Sequence, residues 1–177
     1  AGGDTVVFGV AADPVAWTTM RPLLGVPARL AVVGRCMRVV ADPGIRGFDA
    51  SRRWLEGIGR SEALIADGAS NDPAAFASMD VALVQGASGR CGHVPGLLPI
   101  LETLAASRPV LLGHGHPASE DLAACPMVFR DMDRDESGAA RWLLDRVDDP
   151  SVDSAGTFVD MQTWCERLDR DYASLAE

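Results

Sequence analysis

The chain contains no lysine: all 16 of its basic side chains are arginine. A Schiff base, a lysine general base and a phosphate-binding P-loop lysine are therefore excluded as chemistry of these 177 residues. Positive charge is scarce in general. Against 25 acidic residues the net charge is -9, and with no cluster of cations to meet a phosphate backbone, nucleic acid is not expected as a partner. Cysteine is rare too. Cys36, Cys91, Cys125 and Cys165 are far apart and form no C-x-x-C pair, so they read as buried or free thiols rather than a disulfide frame or a zinc cage. No apolar run approaches the 18 or so residues of a membrane helix, and the amino-terminal AGGDTVVFGV carries no basic segment of a signal peptide. The expectation is a soluble, cytoplasmic protein without a transmembrane segment, any membrane contact being peripheral and made through a domain outside this chain.

What the sequence has is apolar residues, 47% of the total, arranged in short runs that alternate with amphipathic segments. The length suits one complete core and is short for two, so residues 1–177 are expected to form a single domain. Strands are expected over residues 5–10, 29–33, 63–66, 81–84, 110–112 and 127–129. Helices are expected over residues 16–24, 50–58, 72–78, 96–106, 119–124, 136–147 and 161–175, with residues 34–48 irregular. Alternation of this kind predicts a Rossmann-like, three-layer α/β/α domain with a mostly parallel sheet of about six strands, finished by carboxyl-terminal helices.

The most informative stretch is residues 80–109, where an apolar strand runs into a glycine-punctuated loop and then a helix bearing Glu102. Such a loop lies at a strand's carboxyl end, where open α/β sheets bind their ligands. Gly86, Gly89, Gly92 and Gly96 do not form a G-x-G-x-x-G fingerprint, which argues against a dinucleotide cofactor but allows close backbone approach. Glu102 reads either as a ligand-binding carboxylate or as a helix-start carboxylate satisfied by backbone amides. His93 stands next to the helix start, and Gly113-His114-Gly115-His116 follows the next strand; both are candidate ligand contacts. The H-x-H spacing has no third metal ligand placed by sequence, so no metal is expected. Asp13, before Pro14, reads as a helix cap.

Residues 102–122, ETLAASRPVLLGHGHPASEDL, resemble the signature of the carboxyl-terminal half of GT-B retaining glycosyltransferases of family 4, the glycosyl transferases group 1 type. In that signature a Glu opens an E-A-x-A-x-G-x-P-V-V segment and a second acidic residue follows a glycine-containing loop. Ser107 replaces the usual glycine, and Glu120 takes the second acidic position. Residues 80–84 match the family's A-D-V-x-V strand, and residues 128–150 its strand, helix and L-L-x-D-P ending. Trp164 and Tyr172 fall where such domains carry a Trp and a Tyr in the final helix.

The resemblance implies a donor half that binds a nucleotide-sugar as substrate, with no metal or other cofactor. An amino-terminal acceptor domain, absent from these residues, would act in cis or trans. It implies that Glu102 holds the nucleotide ribose, a task suited to an ionised carboxylate facing two hydroxyl donors. The implied activity is hexosyl transfer, with the isolated chain expected to be inactive.

The sequence also departs from the family. Its Gly-Arg pair at the end of the first strand is here Gly9-Val10, Ala16 stands near its lysine, and Val94 replaces the first carboxylate of its E-x7-E motif. Each lost charge-assisted contact to a diphosphate is worth about 1.5–3 kcal/mol. The resemblance implies that Gly9, which matches the glycine of that pair, contacts the donor. Arg90 in the glycine-rich loop and Arg35, expected just after the second strand, are candidates to supply the missing charge over the carboxyl edge. Two alternatives follow. One is a degenerate GT-B-like module that binds or scaffolds without turnover; the other is a nucleoside-processing, flavodoxin-like enzyme such as a deoxyribosyltransferase, with Glu102 as nucleophile.

Overall fold

A computed structural model describes residues 5–11, 19–67, 73–76, 78–85 and 97–147. Its strands are β1 (Thr5–Ala11), β2 (Cys36–Ala41), β3 (Leu64–Ala66), β4 (Val81–Val84), β5 (Val110–Leu112) and β6 (Val128–Phe129). Its helices are α1 (Met20–Leu23), α2 (Gly25–Val32), α3 (Phe48–Gly57), α4 (Pro73–Phe76), α5 (Leu97–Ala105) and α6 (Glu136–Val147). The strands form one sheet in the order β3-β2-β1-β4-β5-β6, and every neighbouring pair is parallel.

Side-chain alternation assigns the two faces. Along β1, Val6, Phe8 and Val10 enter one core with Val81 and Leu83 of β4, whereas Ala11 enters the other with Ala82 and Val84. Met20, Leu23, Val26, Leu30, Leu55 and Leu143 cover the first face from α1, α2, α3 and α6. Phe76 and Ile100 cover the second from α4 and α5. A strand buried on both sides has no polar face to show, which is why β4 is four consecutive buried apolar residues. The described residues form a Rossmann-like α/β/α domain.

Asp80 ties the amino edge together. Its Oδ2 accepts from the Val7 N–H at 2.9 Å, its own N–H donates to Val7 O at 2.9 Å, and Arg108 reaches its Oδ1 at 3.4 Å. The Asp80 carboxylate therefore joins β1, β4 and the start of β5 at the amino edge of the sheet.

The expected strand at residues 29–33 is overturned. These residues continue α2, where Val26, Pro27 and Leu30 are buried on one side while Val32 and Val33 are exposed. Their three- and four-residue spacing is a helical stripe that a short run of β-branched residues conceals. Pro27 falls within the first turn, where its missing N–H costs no helical hydrogen bond. Gly34, at φ 86°, ends the helix rather than a strand: the Arg35 N–H donates to Leu30 O and the Gly34 N–H to Ala31 O, the paired bonds of a left-handed helix stop. The second strand is instead β2, inside the segment expected to be irregular. The expected helix at residues 119–124 is also replaced, by a 3₁₀ turn at Pro117–Ser119 followed by further turns. The expected helix at residues 161–175 and the Asp13 cap lie outside the described residues.

Candidate functional site

In a doubly wound sheet of order 3-2-1-4-5-6, connections leave β1 and β4 on opposite faces, and their carboxyl ends part to form a crevice. That crevice lies beyond Ala11 and Val84. Arg90, His93 and Val94 fall in the segment that follows β4 and lie outside the described residues.

Gln85, the first residue after β4, anchors the chain where it enters α1. Its Oε1 accepts from the Thr19 N–H at 2.6 Å and its Nε2 donates to Thr19 Oγ1 at 3.4 Å. Thr19 is also bridged to Arg46, whose carbonyl accepts from the Met20 N–H at 3.1 Å. The ends of β4, the β1–α1 connection and the β2–α3 connection are thus held together by one glutamine and one backbone bridge.

Beside this junction opens a cavity of about 650 Å³, walled by Thr19, Arg21, Arg46, Gly47, Ser51 and Trp54 among others. It lies between the first turns of α1–α2 and α3. Among the described residues, neither Arg21 nor Arg46 is paired with a carboxylate. Two uncommitted guanidiniums in a chain of net charge -9 give this cavity a local charge opposite to that of the whole. With Trp54 half exposed on its wall, it can take an anionic group and a flat or ring-shaped body together.

A second cluster stands at the end of β5. The Gly113 N–H donates to Val84 O at 2.8 Å, which carries the sheet pairing one residue past the strand. The next residue, His114, is held twice: its N–H donates to Asp133 Oδ1 at 2.6 Å, and its Nδ1 lies 2.7 Å from Asp131 Oδ1. Asp131 sits in the left-handed region at φ 60°, while the Met132 N–H donates to Leu112 O and fixes the segment after β6 against β5. His116 is different in kind. It is buried, and its Nδ1 accepts from the Ala118 N–H at 3.2 Å, capping the 3₁₀ turn. Among the described residues, no group of three or more His, Cys, Asp or Glu side chains is arranged to hold a metal ion.

The remaining sequence-derived candidates separate in space. Glu102 is the sixth residue of α5, exposed, beside buried Thr103, whose hydroxyl donates to Pro99 O at 2.7 Å. It lies beyond the first turn, so the helix-start alternative for this carboxylate does not hold. Glu120 is exposed just past the 3₁₀ turn after β5. Glu102 rides a helix on one sheet face, and the arginine-lined cavity belongs to the helices of the other. Gly9 is not at a strand end: it is two residues short of Ala11, with its α-carbon against Met79 and Phe76. Arg35 corrects the expectation built on it. Because it precedes β2, it stands at the amino edge, opposite the crevice.

Thr19, Gln85, Arg21, Arg46, Asp131 and Asp133 had no part in the sequence reading. The Gln85–Thr19 bond joins residues 66 apart and the His114–Asp131 contact residues 17 apart, distances over which no local periodicity carries a signal.

No protein-family model matches the chain, and no curated protein matches it. Among solved structures it is similar to a trehalose-6-phosphate synthase, OtsA. The likeness has a TM-score of 0.49 at 20% identity and covers 86% of this chain. The chain spans 37% of the length of that protein.

Proposed function

We propose that this chain is the nucleotide-sugar donor-binding half of a GT-B glycosyltransferase, which transfers a hexosyl group to an acceptor held by a second domain. The observation that carries this reading is the all-parallel 3-2-1-4-5-6 sheet with the uncommitted Arg21 and Arg46 beside its crevice. A nucleotide-sugar needs positive charge where its diphosphate departs, and these two guanidiniums are candidates for the charge that Val10 and Ala16 do not supply. The E-T-L-A-A-S-R-P-V-L-L motif supports the same reading, since it falls on α5 and β5 with Glu102 exposed. Catalysis on such a scaffold would be positioning plus electrostatic stabilisation of the leaving diphosphate.

Calorimetric titration with UDP-, GDP- and ADP-sugars tests the proposal. One donor is expected to bind, and Glu102→Ala to weaken it about tenfold or more through loss of a charge-assisted contact to the ribose. No heat with any donor at millimolar concentration would sink it.

A second reading, binding without turnover, is favoured by Val10. Its side chain is fully buried in the core, so a cation cannot take its place there without loss of packing. Donor binding without sugar transfer, in the presence of the partner domain, would select that reading.

A further inference from the structure

We propose that His114 Nε2 accepts a hydrogen bond from a sugar hydroxyl of the bound ligand, with Asp131 as the positioning residue that fixes its tautomer. This inference rests on the donor-binding reading. An ionised carboxylate only accepts hydrogen bonds, so the 2.7 Å contact to Asp131 Oδ1 places the ring proton on Nδ1. In the neutral ring Nε2 then keeps its lone pair, and among the described residues it has no protein partner. The backbone on both sides is fixed as well. Asp133 holds the His114 N–H at 2.6 Å, and the Met132–Leu112 bond holds the loop that presents Asp131.

Asp131 adopts φ 60° to make its contact, a conformation that costs most non-glycine residues about 1 kcal/mol or more and is tolerated best by Asp and Asn. The placement suits a ligand contact: His114 follows the residue that bonds the end of β4, so it stands at the carboxyl edge of the sheet, and its side chain is 43% exposed. Charge decides the kind of group recognised. Residues 130–136, R-D-M-D-R-D-E, carry four carboxylates against two guanidiniums, which disfavours a phosphate at Nε2 and leaves a neutral proton donor such as a sugar hydroxyl.

The test is the imidazole ¹⁵N spectrum of the full chain with labelled histidine, recorded with and without the UDP-, GDP- and ADP-sugars and alongside calorimetry. His114 is expected as the Nδ1–H tautomer, its Nε2 signal moving upfield on saturation with the donor that binds. Asp131→Asn keeps a residue that tolerates the left-handed backbone, and is expected to redistribute the tautomers and weaken donor binding about fivefold; His114→Ala is expected to weaken it about tenfold. A merely structural contact would not couple tautomer to ligand affinity. An Nε2–H tautomer in the free protein, or a donor that binds with heat while Nε2 stays unmoved, overturns the inference and leaves the donor reading standing. Absence of heat with every donor overturns the donor reading and this inference with it.

Discussion

Gly9→Val is expected to destabilise the domain by about 3 kcal/mol or more and to lower its melting temperature by roughly 10 °C. Gly9 occupies the middle of β1, with Val40 beside it on β2 and Ala82 on β4, so the backbone cannot move sideways without breaking two parallel ladders. A Cβ built at Gly9 overlaps Met79 Sδ and lies 2.9 Å from Phe76 Cε1. Methionine is flexible and can swing away; the fully buried Phe76 ring cannot. Alanine would therefore cost less than valine, whose two methyl groups must also find room against that ring. Combining Gly9→Ala with Met79→Ala should cost less than the two single losses added together, because one change vacates the space the other fills. Thermal unfolding followed by circular dichroism measures this. A valine variant that melts within a degree or two of the parent would contradict the packing described for this face. The same packing places Gly9 inside β1, two residues short of the strand end.

The second large effect concerns ligand binding. Removing both Arg21 and Arg46 as alanines is expected to weaken nucleotide-sugar binding about a hundredfold, taking each charge-assisted contact near 1.5 kcal/mol because both side chains are exposed. Neither arginine is spent on a carboxylate among the described residues, so their loss leaves no buried charge unpaired, and the melting temperature should change little. The pairing of a large affinity loss with an intact fold is the informative result. Binding that is unchanged in the double variant would move the positive charge required by a diphosphate elsewhere, with Arg90 the remaining candidate from the sequence.

Much of the scaffold was legible in the sequence for a physical reason. Strands buried on both faces must be continuous apolar runs, and residues 81–84 and 110–112 are such runs, bounded by Asp80 and Pro109. The helix at α6 was legible from its amphipathic period, with Ala139, Ala140 and Leu143 buried at helical spacing. Residues 29–33 misled because Leu-Ala-Val-Val satisfies a strand pattern over its short length, and only the burial of Val26 and Leu30 against α6 and the sheet decides for a helix. That single exchange moved Arg35 from one sheet edge to the other. The site was less legible than the scaffold. Glu102 and His114 could be proposed from their places after strands and within a motif, but the carboxylates that hold His114 come from beyond β6. Arg46 meets the cavity only because Thr19 pairs with it across the first βαβ crossover. Contacts of that range are created by folding and leave no spacing to read.

Amide shift mapping with a nucleotide-sugar tests the central claim most directly, because it reports where the ligand sits as well as whether it binds. With backbone resonances assigned, titration with the UDP-, GDP- and ADP-sugars is predicted to perturb residues at the carboxyl edge, namely Ala11, Thr19, Gln85, Gly113 and His114. Arg35, Cys36, Asp80 and Arg108 at the opposite edge should stay still. Perturbations gathered around Asp80 and Arg108, or none at saturating donor, would contradict a donor-binding domain organised about the β1–β4 crevice.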